Sequence, residues 1–316
     1  MFKHAPFKVC LDEFCIELPE DWEVSGYIFD PEEGRLNFAS QQGALGGVRW
    51  RLVKRFPDME RTIIEVNRRL VAEEKGIDRD DVKPEDNLLT FETLPNGAVL
   101  GYGEKGKPFF GGSLLEKSGI FFEWSFPCLD GRMLNLARSL MKSFRANEPD
   151  ERGFKFYAMF GLELKLPKEY LLSDVNPYPA AVTLSFETLT HKRIIAHRWG
   201  MANCLLENCS VLDFYHRFLF DSRYSIRAKR EFEILGESGG EVEFRTRGRW
   251  GFDFLLGAWW RGRGEVVLSP DENRIYAIEF IAKRSKVEPY GLTDCLANRV
   301  SLRSNCVVNA SEEGTK

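Results

Sequence analysis

The feature that most constrains this chain is a resemblance between its two halves, because a repeated half obliges one fold to appear twice. Phe14-Cys15-Ile16-Glu17-Leu18-Pro19-Glu20-Asp21-Trp22 lies on Leu162-Glu163-Leu164-Lys165-Leu166-Pro167-Lys168-Glu169-Tyr170 at an offset of 148 residues. Further on, Arg49-Trp50 falls on Arg198-Trp199 at an offset of 149, each pair inside a β-prone run. Trp22, Tyr170, Trp50 and Trp199 are therefore expected in a core.

The order of elements also repeats. Ile63, Val66 and Leu70 at helical spacing predict a helix over Met59–Glu74 that stops at Gly76, and Leu212, Tyr215 and Leu219 predict its counterpart over Val211–Phe220. Strand-like runs follow: Asn87–Leu94, Ala98–Tyr102, Gly112–Glu116 and Ile120–Phe126 in the first half. Those of the second half are Glu231–Leu235, Glu241–Thr246, Gly264–Leu268 and Arg274–Ala282. Closing helices are expected over Gly131–Phe144, with Asp130 as N-cap, and over Leu292–Leu302. The charged segment RANEPDERG, Arg145–Gly153, reads as the linker. The expected fold class is α+β, two similar domains at 1–146 and 153–304, each an antiparallel sheet with helices packed on its faces. Residues 147–152 join them, and 305–316 are read as a disordered tail.

The opening strand that ends in Leu18-Pro19-x-x-Trp22 or Leu166-Pro167-x-x-Tyr170, and the helix end Leu140-Met141-Lys142-Ser143-Phe144, resemble the PsbP-like fold, a superfamily that includes a Ran-binding release factor. The resemblance covers both halves as a tandem duplication and implies a non-enzymatic binding or accessory role. It transfers no functional residue, since the matched positions are structural.

Composition narrows the function classes. The 316 residues carry 44 basic and 48 acidic side chains, a net charge of -4, so no global field gathers polyanions. A mean hydropathy of -0.31 and the lack of any long apolar run argue against a membrane span, and acids at Asp12 and Glu13 break the N-terminal apolar stretch before signal-peptide length. A cytoplasmic location is expected. Seven cysteines, an odd number thinly spread, fit reduced thiols. Cys10 and Cys15, taken as one strand, would point to opposite faces.

Motifs that carry chemistry do not assemble. Gly101-Tyr102-Gly103-Glu104-Lys105-Gly106 has dinucleotide-loop spacing, but a strand-like run follows it where a helix is needed, so it reads as a hairpin tip. Four histidines and the lack of nucleophile-elbow or zinc-protease motifs leave hydrolase chemistry without parts. Cys128 precedes a helix and is the best lone nucleophile, though its apolar neighbours favour simple packing. Cys204, Cys209 and His216 lack the spacing of a structural metal site. No cofactor is called for.

The distinctive segment is Arg245–Gly264, RTRGRWGFDFLLGAWWRGRG, with five arginines, three tryptophans and one acid. It is expected to form a long hairpin found only in the second half. The first reading of it is structural, with the aromatics covering the sheet or the other domain and the arginines flanking it in solvent. As a binding surface its candidate residues are Arg247, Arg249, Trp250, Trp259, Trp260, Arg261 and Arg263, suited to a protein partner before nucleic acid. A second basic run, Arg223–Arg230, extends the same surface and gives way to Glu231, Glu233, Glu237, Glu241 and Glu243. The chain is thus read as a binding or accessory protein. An enzyme with an inter-domain cleft and a nucleic-acid binder are the alternatives.

Overall fold

The computed structural model describes residues 7–19, 21–30, 33–41, 43–128, 130–178, 180–221, 224–234, 236–247, 259–283 and 295. The chain divides into two compact units, Met1–Glu148 and Pro149–Lys316.

In the first unit, β1 (Phe7–Cys10) and β2 (Phe14–Leu18) form a hairpin. β3 (Glu23–Phe29), β4 (Glu33–Ser40) and β5 (Gly43–Leu52) meander into α1 (Met59–Lys75). β6 (Thr90–Thr93), β7 (Val99–Tyr102), β8 (Phe109–Leu115) and β9 (Ile120–Phe126) lead to α2 (Gly131–Ser143) and the short β10 (Arg145–Ala146). One antiparallel sheet runs β3-β4-β5-β9-β8-β7-β6. α1 begins where the Asp58 carboxylate accepts from the Arg61 N–H at 3.1 Å and ends at Gly76, whose φ of 62° suits glycine. Its Ile63 packs with Val99 and Phe110 on one sheet face. The opposite face takes the β1–β2 hairpin, with Phe14 edge-on to Trp50 at 5.3 Å and to Phe122 at 4.9 Å. α2 closes the same side, its C-cap Phe144 lying 4.6 Å from Phe122. Each such aromatic contributes about 1.5–3 kcal/mol by leaving water.

The second unit opens with the hairpin β11 (Phe154–Met159) and β12 (Leu162–Pro167), then β13 (Leu171–Tyr178), β14 (Ala181–Glu187) and β15 (Arg193–Gly200). α3 (Ala202–Leu205) and α4 (Val211–Asp221) precede β16 (Ser225–Ile234), β17 (Glu237–Arg247), β18 (Trp259–Ser269) and β19 (Arg274–Ala282). The sheet runs β13-β14-β15-β19-β18-β17-β16, the strand order of the first unit. α4 lies on one face above Val242, Phe244, Trp260 and Val266, while Tyr157 of the opening hairpin meets Phe186 at 4.8 Å on the other.

The correspondence extends to register. Trp22 N–H donates to the Pro19 carbonyl and Tyr170 N–H to that of Pro167, both at 3.0 Å. Leu36 pairs with Val48 as Leu184 pairs with Ala196, so the 148-residue offset persists through both strands. Laying Arg49-Trp50 on Arg198-Trp199 is therefore one residue out, and a one-residue slip reverses the face. Trp50 faces the β1–β2 hairpin, whereas Trp199 lies under α4 against Phe214 and Phe218. All four repeated aromatics are nonetheless buried.

Three expectations need correction. The chain is mostly β, with 52% of the described residues in strands and 20% in helices, so it is not a sheet clothed in helices on both faces. The physical reason is that a strand hairpin covers part of each sheet, and β17 and β18 run eleven residues each where the apolar pattern suggested about half. Second, the chain turns at Leu11-Asp12-Glu13, so Cys10 and Cys15 stand directly opposite each other and form a disulfide. They are neither on opposite faces nor free thiols. Third, the start of the charged linker is structured: Arg145 and Ala146 pair with β2, and the buried Asn147 amide donates to the Leu11 carbonyl at 2.6 Å. The proposed tail and all of Leu292–Leu302 except the helical, buried Cys295 lie outside the described residues.

Candidate functional site

The two ends of the distinctive segment pair in the β17–β18 ladder, with Arg247 in register with Trp259 and Thr246 with Trp260, and residues 248–258 lie outside the described residues. Strand alternation divides its residues. Trp260, Gly262, Gly264 and Val266 of β18 turn toward α4, and the two glycines have a steric purpose. A Cβ at Gly262 would collide with the Phe244 ring, and one at Gly264 with the Tyr215 hydroxyl. The Arg-Gly-Arg-Gly pattern is therefore an alternating strand whose small residues admit aromatics on the inner face.

The arginines stand on the other face with unequal surroundings. Arg263 is partly buried over the Phe280 ring, 3.2 Å from the Glu265 carboxylate and 3.7 Å from that of Glu241. Arg230 of β16 reaches Glu243 at 3.3 Å and Glu241 at 3.9 Å. Toward the ribbon's tip this alternation of charge stops. Arg245 sits directly across from Arg261, and Arg227 occupies the bulge between Ile226 and Ala228 in the neighbouring strand. Desolvation, then the charges of Arg227 and Arg261, hold the Arg245 guanidinium below its usual range. Among the described residues none of the three is ion-paired with a carboxylate, and Arg227 and Arg261 are exposed. Like charges set opposite one another across strands are destabilising unless an anion lies between them.

Of the residues singled out from sequence, Arg261 belongs to this row and Arg263 is already neutralised. Trp260 is buried in the α4 core. Arg247 and Trp259 are placed by register alone, and Arg249 and Trp250 lie outside the described residues. Arg227 and Arg245 complete the row without being in the candidate set, although Arg227 belongs to the basic run Arg223–Arg230 expected to extend this surface and Arg245 opens the distinctive segment. Nothing local announces the bulge that brings Arg227 beside Arg245.

No protein-family model matches the sequence, and no curated protein matches it. Among solved structures, the chain is similar to the immunity protein TplEi of the type VI secretion system from Pseudomonas aeruginosa, whose structure is a complex with an "L" peptide. The identity is 13% and the TM-score 0.31, over 96% of this chain and 95% of that one.

Other candidate chemistry resolves into structure. Thr183 Oγ1 lies 2.9 Å from His197 Nδ1, and His197 Nε2 lies 3.0 Å from Glu279 Oε1, an order reminiscent of a catalytic relay. His197 is stacked on Trp199 at 5.1 Å and met edge-on by Phe218, so the relay is sealed beneath α4. Beside it the Tyr215 hydroxyl is buried without a hydrogen-bond partner among the described residues, and burial, followed by the Glu279 charge, pushes its pKa well above the usual phenol range. Cys128 is exposed ahead of α2. No group of three metal-ligating side chains occurs among the described residues. The glycine-rich run spans the β7–β8 connection, where Gly106 has a φ of 85° and Lys107 pairs with Glu74 at 2.5 Å. No helix among the described residues is long and apolar enough to cross a membrane.

Proposed function

We propose that the chain is a non-enzymatic binding protein whose partner is another protein, engaged at the tip end of β16–β17–β18 through an acidic segment. The observation that carries this reading is the row Arg227, Arg245 and Arg261, three adjacent guanidiniums without carboxylates in a sheet that otherwise alternates charge. Guanidinium forks suit carboxylates bidentately, so two or three acidic side chains on a partner would relieve the mutual repulsion. An extended polyanion fits less well, since Glu241, Glu243 and Glu265 flank the row. The PsbP-like likeness of the repeated Leu-Pro corners forms part of the same proposal and agrees with an accessory role.

Two labelled probes test it: a peptide of alternating Glu and Ser, and a single-stranded oligonucleotide of equal charge. The expected result is salt-sensitive binding of the peptide that falls at least tenfold in Arg245→Glu/Arg261→Glu, with the oligonucleotide bound no better. Peptide binding untouched by the double substitution overturns the reading. Tighter oligonucleotide binding, with a salt slope that the substitution flattens, assigns the row to nucleic acid instead.

A further inference from the structure

The edge of β16, which among the described residues pairs with β17 alone, offers a second surface beside the arginine row. β16 is a ten-residue strand at the end of its sheet, and Lys229 through Glu233 are exposed without interruption. Its counterpart in the first unit, β6, has only four residues. Long open edges invite pairing with any extended chain, and charged side chains are the usual protection. Here the charges have an order: Lys229 and Arg230 precede Glu231 and Glu233.

That order is complementary to itself when reversed. We propose that β16 is a homodimer edge, pairing antiparallel with β16 of a second copy about a two-fold axis at Arg230. Backbone geometry permits this register. Ile234 and Glu237 flank a two-residue loop, so they exchange both hydrogen bonds, and the pattern then alternates along the strand. The N–H and C=O of Lys229, Glu231 and Glu233 consequently point away from β17, toward the open side. Arg230 stands opposite Arg230 of the second copy, each neutralised by its own Glu241 and Glu243. Lys229 of each chain then stands opposite Glu231 of the other as a hydrogen-bonded pair, its ammonium group lying between that carboxylate and the Asp213 carboxylate of its own α4, 2.8 Å away. Ala228 then stands opposite the half-exposed Phe232, so small meets large on the other face.

A pocket of about 350 Å³ beside the edge, lined in part by Leu212, Glu231, Phe232 and Glu233, is acidic where the second copy's Lys229 arrives. The bulge at Arg227 ends the regular ladder, so Arg227 marks the margin of the interface, opposite Glu233 of the second copy, and Arg245 and Arg261 lie outside it. The same charges that admit a reversed copy repel a uniformly charged strand, so the edge is selective as well as guarded.

The test is sedimentation equilibrium of the full chain from about 1 to 200 μM, with circular dichroism to confirm folding. The wild type should dimerise. Lys229→Glu and Glu231→Lys should each weaken dimerisation at least tenfold, because each sets like charges opposite. Mixing these two variants should restore a heterodimer, since one copy then carries carboxylates at both positions and the other carries ammonium groups at both, so both 229–231 pairs are again of opposite charge. Glu231→Pro removes the outward N–H together with the carboxylate and should yield monomers, whereas Glu231→Gln, which keeps the N–H and loses only the charge, should weaken dimerisation less. A wild type monomeric at 200 μM, variants that dimerise like the wild type, or a variant mixture that stays monomeric would each overturn the proposal.

Discussion

Gly264 and Tyr215 show how a single position sets the local architecture. The Tyr215 hydroxyl occupies the space above Gly264 in β18, and that strand faces Glu279 in β19. A Gly264→Ala substitution pushes a methyl into the phenol, and overpacking of this kind costs about 1–3 kcal/mol. Tyr215→Phe removes the hydroxyl that has no partner among the described residues, so it should leave stability unchanged or raise it, and it should relieve part of the Gly264→Ala penalty, since the ring carbons still crowd the added methyl. Urea unfolding of the two single variants and the double variant checks this. A Tyr215→Phe loss above about 1 kcal/mol would mean that the hydroxyl is satisfied. In sequence, Arg261–Gly264 is only the arginine-bearing end of the candidate hairpin, and nothing marks its glycines. Only the side chains above them reveal a packing role.

At the scale of the element, the hairpin of β1 and β2 is what sequence reading missed. Phe7–Leu18 contains no Asn-Gly or Asp-Gly to mark a turn, so the segment passes for one strand, and its cysteines for unpaired residues. Folded, it carries Phe14 into the core and brings Cys10 against Cys15. Closing so short a loop stabilises by about 2 kcal/mol in the chain-entropy treatment. Cys10→Ser/Cys15→Ser should therefore lower Tm in oxidising buffer by several degrees, and a reductant should lower the wild-type Tm but leave the variant alone. The bond also bears on location, because such disulfides persist in oxidising compartments. The cytoplasmic expectation stands only if mass spectrometry of protein trapped by alkylation in cells finds both thiols reduced. α1 and α2 lie at the other extreme of legibility. Asp58, Gly76 and Asp130 are local cap signals, and these helices end within a residue of the expected limits.

For the whole molecule, the repeated strand order places Trp50 and Trp199 in the cores of different units, on opposite faces of equivalent strands. Trp50→Ala should cost about 3–5 kcal/mol, as for other buried aromatics. With no shared partner, Trp50→Ala and Trp199→Ala should be additive within about 0.5 kcal/mol if the units respond independently. Coupling above about 1 kcal/mol in chemical denaturation would show that the two cores unfold as one.

Sequence alone determined what depends on neighbours along the chain: the 148-residue repeat, the helix caps, the burial of Trp22, Trp50, Tyr170 and Trp199, and the unusual composition of Arg245–Gly264. Tertiary structure decided what depends on pairing across strands. It determined which faces Trp50 and Trp199 take, that Arg263 is neutralised while Arg245 meets Arg261, that the bulge adds Arg227 to the row, and that β16 is an edge strand among the described residues. Side-chain direction in a strand has period two, so these outcomes turn on a register of single residues, and that register is set by partners far away in sequence.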